Sequence, residues 1–323
     1  MDALTHTLFA IMLGRAGLNR LAPRATLLLV VAANLPDVDI FARLGNQAAW
    51  LGYYRGRTHA LVLLPAVALL AAGVGRVATR KGFSWWRALL VALIGAAIGP
   101  LLDCATDNGV RLLWPFSDKW FGADLIAGFD VWIWLILLTA LVIPWFSRLV
   151  SSEMGARSSS GRGAAIFMLC LLGLYGFGRY LTHRRALAVL DSRMYQNEVA
   201  LRTAALPSPY NPLRWTGLVE GPGFLWRYSD LNLAREFDPG DGTIFYKPDA
   251  AAEIAKARQT EGCRALLGFA RWPLWSVTPV AEPERGVEVK LIDLRLGTPR
   301  DAEVWASAIL DGEGRVVRSS FRF

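Results

Sequence analysis

Charge is sparse in this 323-residue chain: 19% of its residues are Asp, Glu, Lys or Arg, against 54% hydrophobic. That balance excludes an intrinsically disordered or fibrous protein. Cysteine is scarcer still, and Cys104, Cys170 and Cys263 are too few and too scattered to frame a disulfide scaffold. Of the three histidines, His6, His59 and His183, none follows residue 183, so residues 186–323 hold no Ser/His/Asp or Cys/His set. A P-loop and a dinucleotide fingerprint are also missing; the glycines of EGPG and DPGDG are turn glycines. No internal repeat is visible. The opening MDALTH carries an acid and a histidine where a signal peptide has basic residues, so the first apolar segment is expected to stay in the protein.

What is abundant is apolar sequence in long runs, at about 4–13, 25–41, 58–75, 85–104, 129–147 and 164–181. The last four approach the roughly 20 residues that a spanning helix needs, and Trp85, Trp86, Trp132, Trp134, Trp145 and Tyr180 lie near run ends, as interfacial aromatics do. The composition predicts a mainly α, polytopic membrane domain of about six apolar segments over residues 1–185. Residues 1–185 hold 18 basic and 9 acidic residues, whereas 186–323 hold 17 and 18. All of the positive excess therefore sits in short loops of the apolar half, which fits a membrane protein and argues against a nucleic-acid partner. Arg15, Arg20 and Arg24, then Arg76, Arg80, Lys81 and Arg87, then Arg148, Arg157 and Arg162 mark three cytoplasmic loops. Loops 42–57 and 105–128, and the chain after 181, are then extracytoplasmic. This predicts a multi-pass protein of the inner (cytoplasmic) membrane.

Residues 186–323 read as a small α+β extracytoplasmic domain. A helix-like stretch to about Ala204 ends at PSPYNP, whose prolines start a loop. LRWTGLVE, FLWRYSDLNL, VEVKLIDLRL and the pair EVWASAIL/RVVRSSFRF alternate as strands do, with PDAAAEIAKARQTEGCRALLGF as a helix between them. The Ser/Gly-rich 151–163 reads as a flexible loop.

Ionisable residues stand at the ends of the apolar runs: His6 opens the first, Asp37 and Asp39 close the second in NLPDVDIF, His59 opens the third in RGRTHAL, and Asp103 closes the fourth in GPLLDCATDNG. The predicted topology puts all five at the extracytoplasmic boundary. Charge in apolar surroundings costs several kcal/mol unless it is paired or metal-bound, which makes these residues functional candidates. Two imidazoles and three carboxylates suit Zn²⁺ best, with Mn²⁺ or Fe as alternatives. In PDVD, two acids separated by one residue aim together only if the backbone after Pro36 is extended rather than helical. The competing reading makes each residue a helix cap or interface anchor. A second polar group, Asp107, Asn108, Arg111, Asp118, Lys119, Asp124 and Asp130, reads either as an anion site built on Arg111 and Lys119 or as a salt-bridged loop on the membrane surface. His183, beside Arg184 and Arg185, reads as interfacial.

MDALTH, NLPDVDIF, RGRTHAL, PLLDCATDNGVRLLWPFSDKWFG and FDVWIW, in this order, resemble the family of membrane-bound metal-dependent hydrolases related to YdjM, over roughly residues 1–150. PSPYNPLRW is similar to its longer members with a C-terminal extracytoplasmic domain. The resemblance implies an inner-membrane, metal-dependent hydrolase with His6, Asp37, Asp39, His59 and Asp103 as metal ligands. Many relatives have a Thr-His pair where this chain reads Ile98-Gly99.

The reaction expected from these residues is metal-assisted hydrolysis of a phosphoester or lipid-linked substrate at the membrane surface. A non-ligating acid, Asp37 or Asp39, would act as base, and Arg57 or Arg111 would stabilise developing negative charge. Membrane lipid is the expected partner. The rival is a non-catalytic scaffold, or a metal or ion transporter, although a transporter favours acids near mid-span and repeat symmetry.

Overall fold

The computed structural model describes residues 1–79, 82–153 and 161–323, without side chains at 42–44 and 147–153. Arg80, Lys81, Arg157 and residues 154–160 of the Ser/Gly-rich loop lie outside the described residues, as does the side chain of Arg148. The chain divides into two compact units. The first comprises Met1–Val38, Arg55–His183 and Pro207–Pro212; the second comprises Asp39–Tyr54, Arg184–Leu206 and Leu213–Phe323.

The first unit is helical, with α1 (Ala3–Ala16), α2 (Ala25–Asn34), α4 (Leu64–Ala78), α5 (Trp85–Cys104), α6 (Val131–Glu153) and most of α7 (Arg162–Asp191); α3 (Gln47–Tyr53) belongs to the second unit. Asp2 caps α1 by accepting from Thr5 N at 2.9 Å, and Gly17 ends the helix at φ 147°, a conformation open to glycine. The six apolar runs do not become six spans. Among the described residues, three helical stretches are long and apolar enough to cross a membrane: Leu61–Ala78, Trp85–Cys104 and Arg162–Asp191. Val131–Phe146 is a shorter apolar helix. The first two runs fail on length, since α1 has 14 residues and α2 has 10, and a helix rising 1.5 Å per residue needs about 20 to cross the hydrocarbon core.

Helices α2 and α5 meet through small residues: Ala32, Ala33, Ala92, Ala96 and Gly95. A Cβ at Gly95 would stand 2.9 Å from the Leu29 carbonyl oxygen and 3.0 Å from Ala32 Cβ. Backbone approach of this kind is how apolar helices associate where burial from water drives little. Gly95→Val is therefore expected to destabilise the helical unit by about 1–3 kcal/mol through overpacking. Thermal unfolding in detergent followed by circular dichroism checks it; an unchanged midpoint would show that α2 yields freely.

The second unit is built on β-sheet. A hairpin of β1 (Met194–Tyr195) and β2 (Glu198–Val199) precedes β3 (Arg202–Pro207), β4 (Arg214–Gly221), β5 (Phe224–Asn232) and β6 (Thr243–Tyr246), which form one sheet in that order. After α8 (Ala251–Ala257) and α9 (Glu261–Phe269), strands β7 (Pro273–Pro279), β8 (Val287–Asp293), β9 (Trp305–Leu310) and β10 (Val316–Arg322) form a second antiparallel sheet in the order β10-β9-β8-β7. Leu206, Leu218, Leu225, Trp272, Leu274, Ile292 and Leu294 pack as one core from strands of both sheets and the residues flanking them. The helix-like stretch expected to run to Ala204 ends instead at Asp191, because Tyr195, Ala205 and Trp215 are buried as sheet residues. The single helix expected over 248–269 is two, α8 and α9.

Candidate metal centre

Four separate stretches of the first unit carry the site. His6 lies in the second turn of the capped α1, Asp37 in the 3₁₀ segment that continues α2 from Leu35 to Leu44, His59 at the end of a 3₁₀ turn Arg57–His59, and Asp103 in the last turn of α5. The side chains of His6, His59 and Asp103 are at most 1% exposed, whereas that of Asp37 is 26% exposed. The cluster therefore opens outward along Asp37.

Asp37, His59 and Asp103 each offer one ligand atom within 4.8 Å of the other two. His59 Nε2 lies 3.4 Å from Asp37 Oδ1 and 3.3 Å from Asp103 Oδ2. Thr58 Oγ1 sits 3.0 Å from His59 Nδ1, a contact that fixes the ring's orientation with either nitrogen protonated. His6 Nδ1 contacts the other oxygen of Asp37 at 3.1 Å, and its Nε2 lies 3.8 Å from Asp103 Oδ1. Burial pushes the Asp37 carboxyl up, but the bonds from His59 and His6 outweigh it and hold the group down at about 2. It is thus an anionic ligand at neutral pH.

Among the described residues, His6 Nε2 and Asp103 Oδ2 are buried without a well-formed hydrogen bond. Each such atom costs about 1–3 kcal/mol, and a cation held by Asp103 Oδ2 removes that cost for the carboxylate. The donor set, an imidazole and two carboxylates within mutual reach, fits a divalent ion of the zinc, manganese or iron type.

Asp39 is not part of this group, although the sequence suggested it. The backbone after Pro36 is helical, at about three residues per turn, so residues 37 and 39 point about 120° apart around the axis. Asp39 falls in the second unit, where its carbonyl accepts from Trp50 Nε1 at 2.8 Å. Arg57 is exposed, with its guanidinium 5.3 Å from the centre of the Trp114 ring. Arg111 is buried, lies 4.7 Å from the Trp120 ring centre, and has Nη1 3.8 Å from Asp118 Oδ1. Asp130 accepts from Trp132 N, Ile133 N and the Tyr175 hydroxyl. Arg111, Asp118 and Asp130 are thus engaged in internal contacts. His183 and Lys119 stand outside the metal-capable group, Lys119 Nζ lying 5.7 Å from the Phe121 ring centre.

The arginine that does reach the cluster is Arg55. Its Nη1 lies 3.4 Å from Asp103 Oδ1, and Nη2 donates to the Met1 carbonyl at 3.1 Å. The Met1 amino nitrogen also contacts Asp103 Oδ1. Arg55 has φ 44°, and its own carbonyl accepts from Arg111 N at 2.9 Å. Nothing in RGRTH distinguishes Arg55 from Arg57 by residue type; only this backbone turn does. Gly99 adjoins the site too, a Cβ there lying 3.6 Å from His6 Cε1 and 3.3 Å from the Ala33 carbonyl oxygen.

The profile of the YdjM inner membrane protein family matches residues 1–186. The uncharacterized protein YfhP of Bacillus subtilis (strain 168) is 27% identical over 164 residues, 46% of this chain, and the match spans 47% of YfhP's own length. No solved structure matches. With more than half of its length matched by one profile, and three helices able to span a bilayer, the chain is a membrane protein and belongs to the YdjM inner membrane protein family.

Proposed function

We propose that this protein is a metal-dependent hydrolase working at the extracytoplasmic surface of the inner membrane, on a phosphoester or lipid-linked substrate. The observation that carries the proposal is the approach of Asp37, His59 and Asp103 from three separate stretches, with ligand atoms within 4.8 Å. Three protein ligands leave a further coordination position open, the pattern of catalytic rather than structural metal sites. When bound, the ion supplies Lewis acidity and a nucleophile at neutral pH. His59 Nε2, Asp37 Oδ1 and Asp103 Oδ2 would hold it, Thr58 orients the His59 ring, and His6 holds the far oxygen of Asp37. Asp37 is the more exposed of the two carboxylates, at 26% against 0% for Asp103, and is the ligand nearest to incoming water and substrate. The positive loops of the apolar half support an extracytoplasmic site and C-terminal domain.

The test is elemental analysis of the purified protein. Wild type is expected to retain a divalent metal, zinc first, and His59→Ala to lose it. Hydrolysis of generic phosphodiester and lipid-phosphate substrates is expected in wild type and abolished in Asp37→Ala. Wild-type protein reconstituted with zinc, manganese or iron and still metal-free would leave the cluster as hydrogen-bonded glue between helices.

A further inference from the structure

Resting on that metal reading, we infer that the centre holds one divalent ion rather than two, and that Arg55 sets this count as a positioning residue. In two-ion sites a carboxylate commonly spans the pair, one oxygen to each ion, with the ions about 3.5–4 Å apart. Here the two carboxylates are divided differently. Asp37 Oδ1 and Asp103 Oδ2 face His59 Nε2 at 3.4 and 3.3 Å. Their outer oxygens have protein partners: Asp37 Oδ2 lies 3.1 Å from His6 Nδ1, and Asp103 Oδ1 lies 3.4 Å from Arg55 Nη1. A second ion bridged by Asp103 would have to displace both the guanidinium and the Met1 amino group from a carboxylate that is 0% exposed.

Charge points the same way. Two carboxylates against the Arg55 guanidinium and the Met1 ammonium on Asp103 Oδ1 sum to zero, so one dication brings the site to +2. A second would bring it to +4, which burial penalises steeply. Arg55 is held for this role by its backbone as well as its side chain, since its carbonyl accepts from Arg111 N and its Nη2 donates to the Met1 carbonyl. Together with the Met1 amino group, the arginine fills with a fixed charge the place where a second metal would otherwise bridge.

Titration of the full-length, metal-stripped protein with Mn²⁺ alone, read by elemental stoichiometry and by electron paramagnetic resonance, decides the matter. Wild type and Arg55→Lys are expected to bind one Mn²⁺ per chain, with the spectrum of an isolated ion. Arg55→Gln, which removes the charge and keeps a donor, is expected to rise above one towards two at millimolar Mn²⁺, with exchange coupling. Two ions in wild type, or an Arg55→Gln count that stays at one, overturns the inference and leaves the hydrolase reading standing. No ion in wild type removes the metal reading itself. If Arg55→Gln is recovered only as aggregate, the wild-type count still decides.

Discussion

Asp103→Asn is expected to lower divalent-metal affinity by at least about 100-fold, the upper end of what losing an outer-shell partner costs, because a ligand rather than its support is removed. Asparagine fills the same volume, so the effect isolates charge. One oxygen of Asp103 faces His59 and the other faces Arg55, and the amide weakens both contacts. With the carboxylate gone, Asp37 alone faces the Arg55 guanidinium and the Met1 amino group, and the pocket carries a net positive charge that opposes a cation. Arg55, only 10% exposed in its side chain, loses its anionic partner, and breaking a buried pair in this way costs about 3–5 kcal/mol. Calorimetric titration with Zn²⁺ and thermal unfolding in detergent read the two effects separately. The double variant Asp103→Asn/Arg55→Met is expected to regain most of the stability and none of the zinc affinity, since an apolar side chain in place of an unpaired cation is tolerated. Zinc affinity within a few-fold of wild type in Asp103→Asn would show that Asp103 is a structural partner of Arg55 and not a ligand.

How far this site was legible in the sequence depends on the residue. Histidine and aspartate at the tips of apolar runs stand out because charge in apolar surroundings is costly, and this singled out Asp37, His59 and Asp103, whose ligand atoms meet; His6, also read as a ligand, lies beside that group on the far oxygen of Asp37. The pair Asp37 and Asp39 turned on one backbone choice after Pro36, which composition does not fix. The structure makes it a 3₁₀ helix, and the two carboxylates part. Arg55 was hidden for a different reason: its role comes from a residue with φ 44° and from packing against the start of the chain, neither of which has a local signature in Tyr-Arg-Gly-Arg. The number of spans was overread because apolar runs 4–13 and 25–41 look like short spans, yet Gly17 and the 3₁₀ segment at Leu35 stop both helices early. In the second unit the alternation of LRWTGLVE, FLWRYSDLNL and VEVKLIDLRL marked β4, β5 and β8 closely. Residues 42–54, by contrast, fall in a stretch that reads as a plain loop, and 39–41 read as the end of an apolar run. The loop stretch contains α3, with Trp50 and Tyr54 set against Phe269 and Phe323 at ring separations of 5.0 to 6.2 Å. Such a long-range aromatic cluster leaves no trace in a local pattern.

Asp293→Ala is expected to be the most damaging single change in the second unit, at about 3–5 kcal/mol. Asp293 ends β8 with no exposed surface, and its carboxylate accepts from Arg271 N at 3.1 Å, Arg295 N at 3.1 Å and Arg295 Nε at 2.8 Å, with Arg295 Nη2 at 2.7 Å. Two donors of one guanidinium on one carboxylate make a charge-assisted, geometrically fixed pair. The Arg295 side chain is 2% exposed, and its Nη2 also donates to the Phe269 carbonyl at 3.2 Å while the guanidinium lies 5.0 Å from that ring's centre. Truncating Asp293 leaves a cation and two backbone N–H groups buried without their acceptor, whereas Asp293→Leu/Arg295→Met removes both charges and is expected to recover most of the loss. Denaturant unfolding of the full chain followed by tryptophan fluorescence measures it, because Trp272 and Trp215 are buried in this unit's cores. A loss below about 0.5 kcal/mol, the range of ordinary surface substitutions, would mean that Arg295 finds another acceptor at once. The pair would then contribute specificity of the β8 end and not stability.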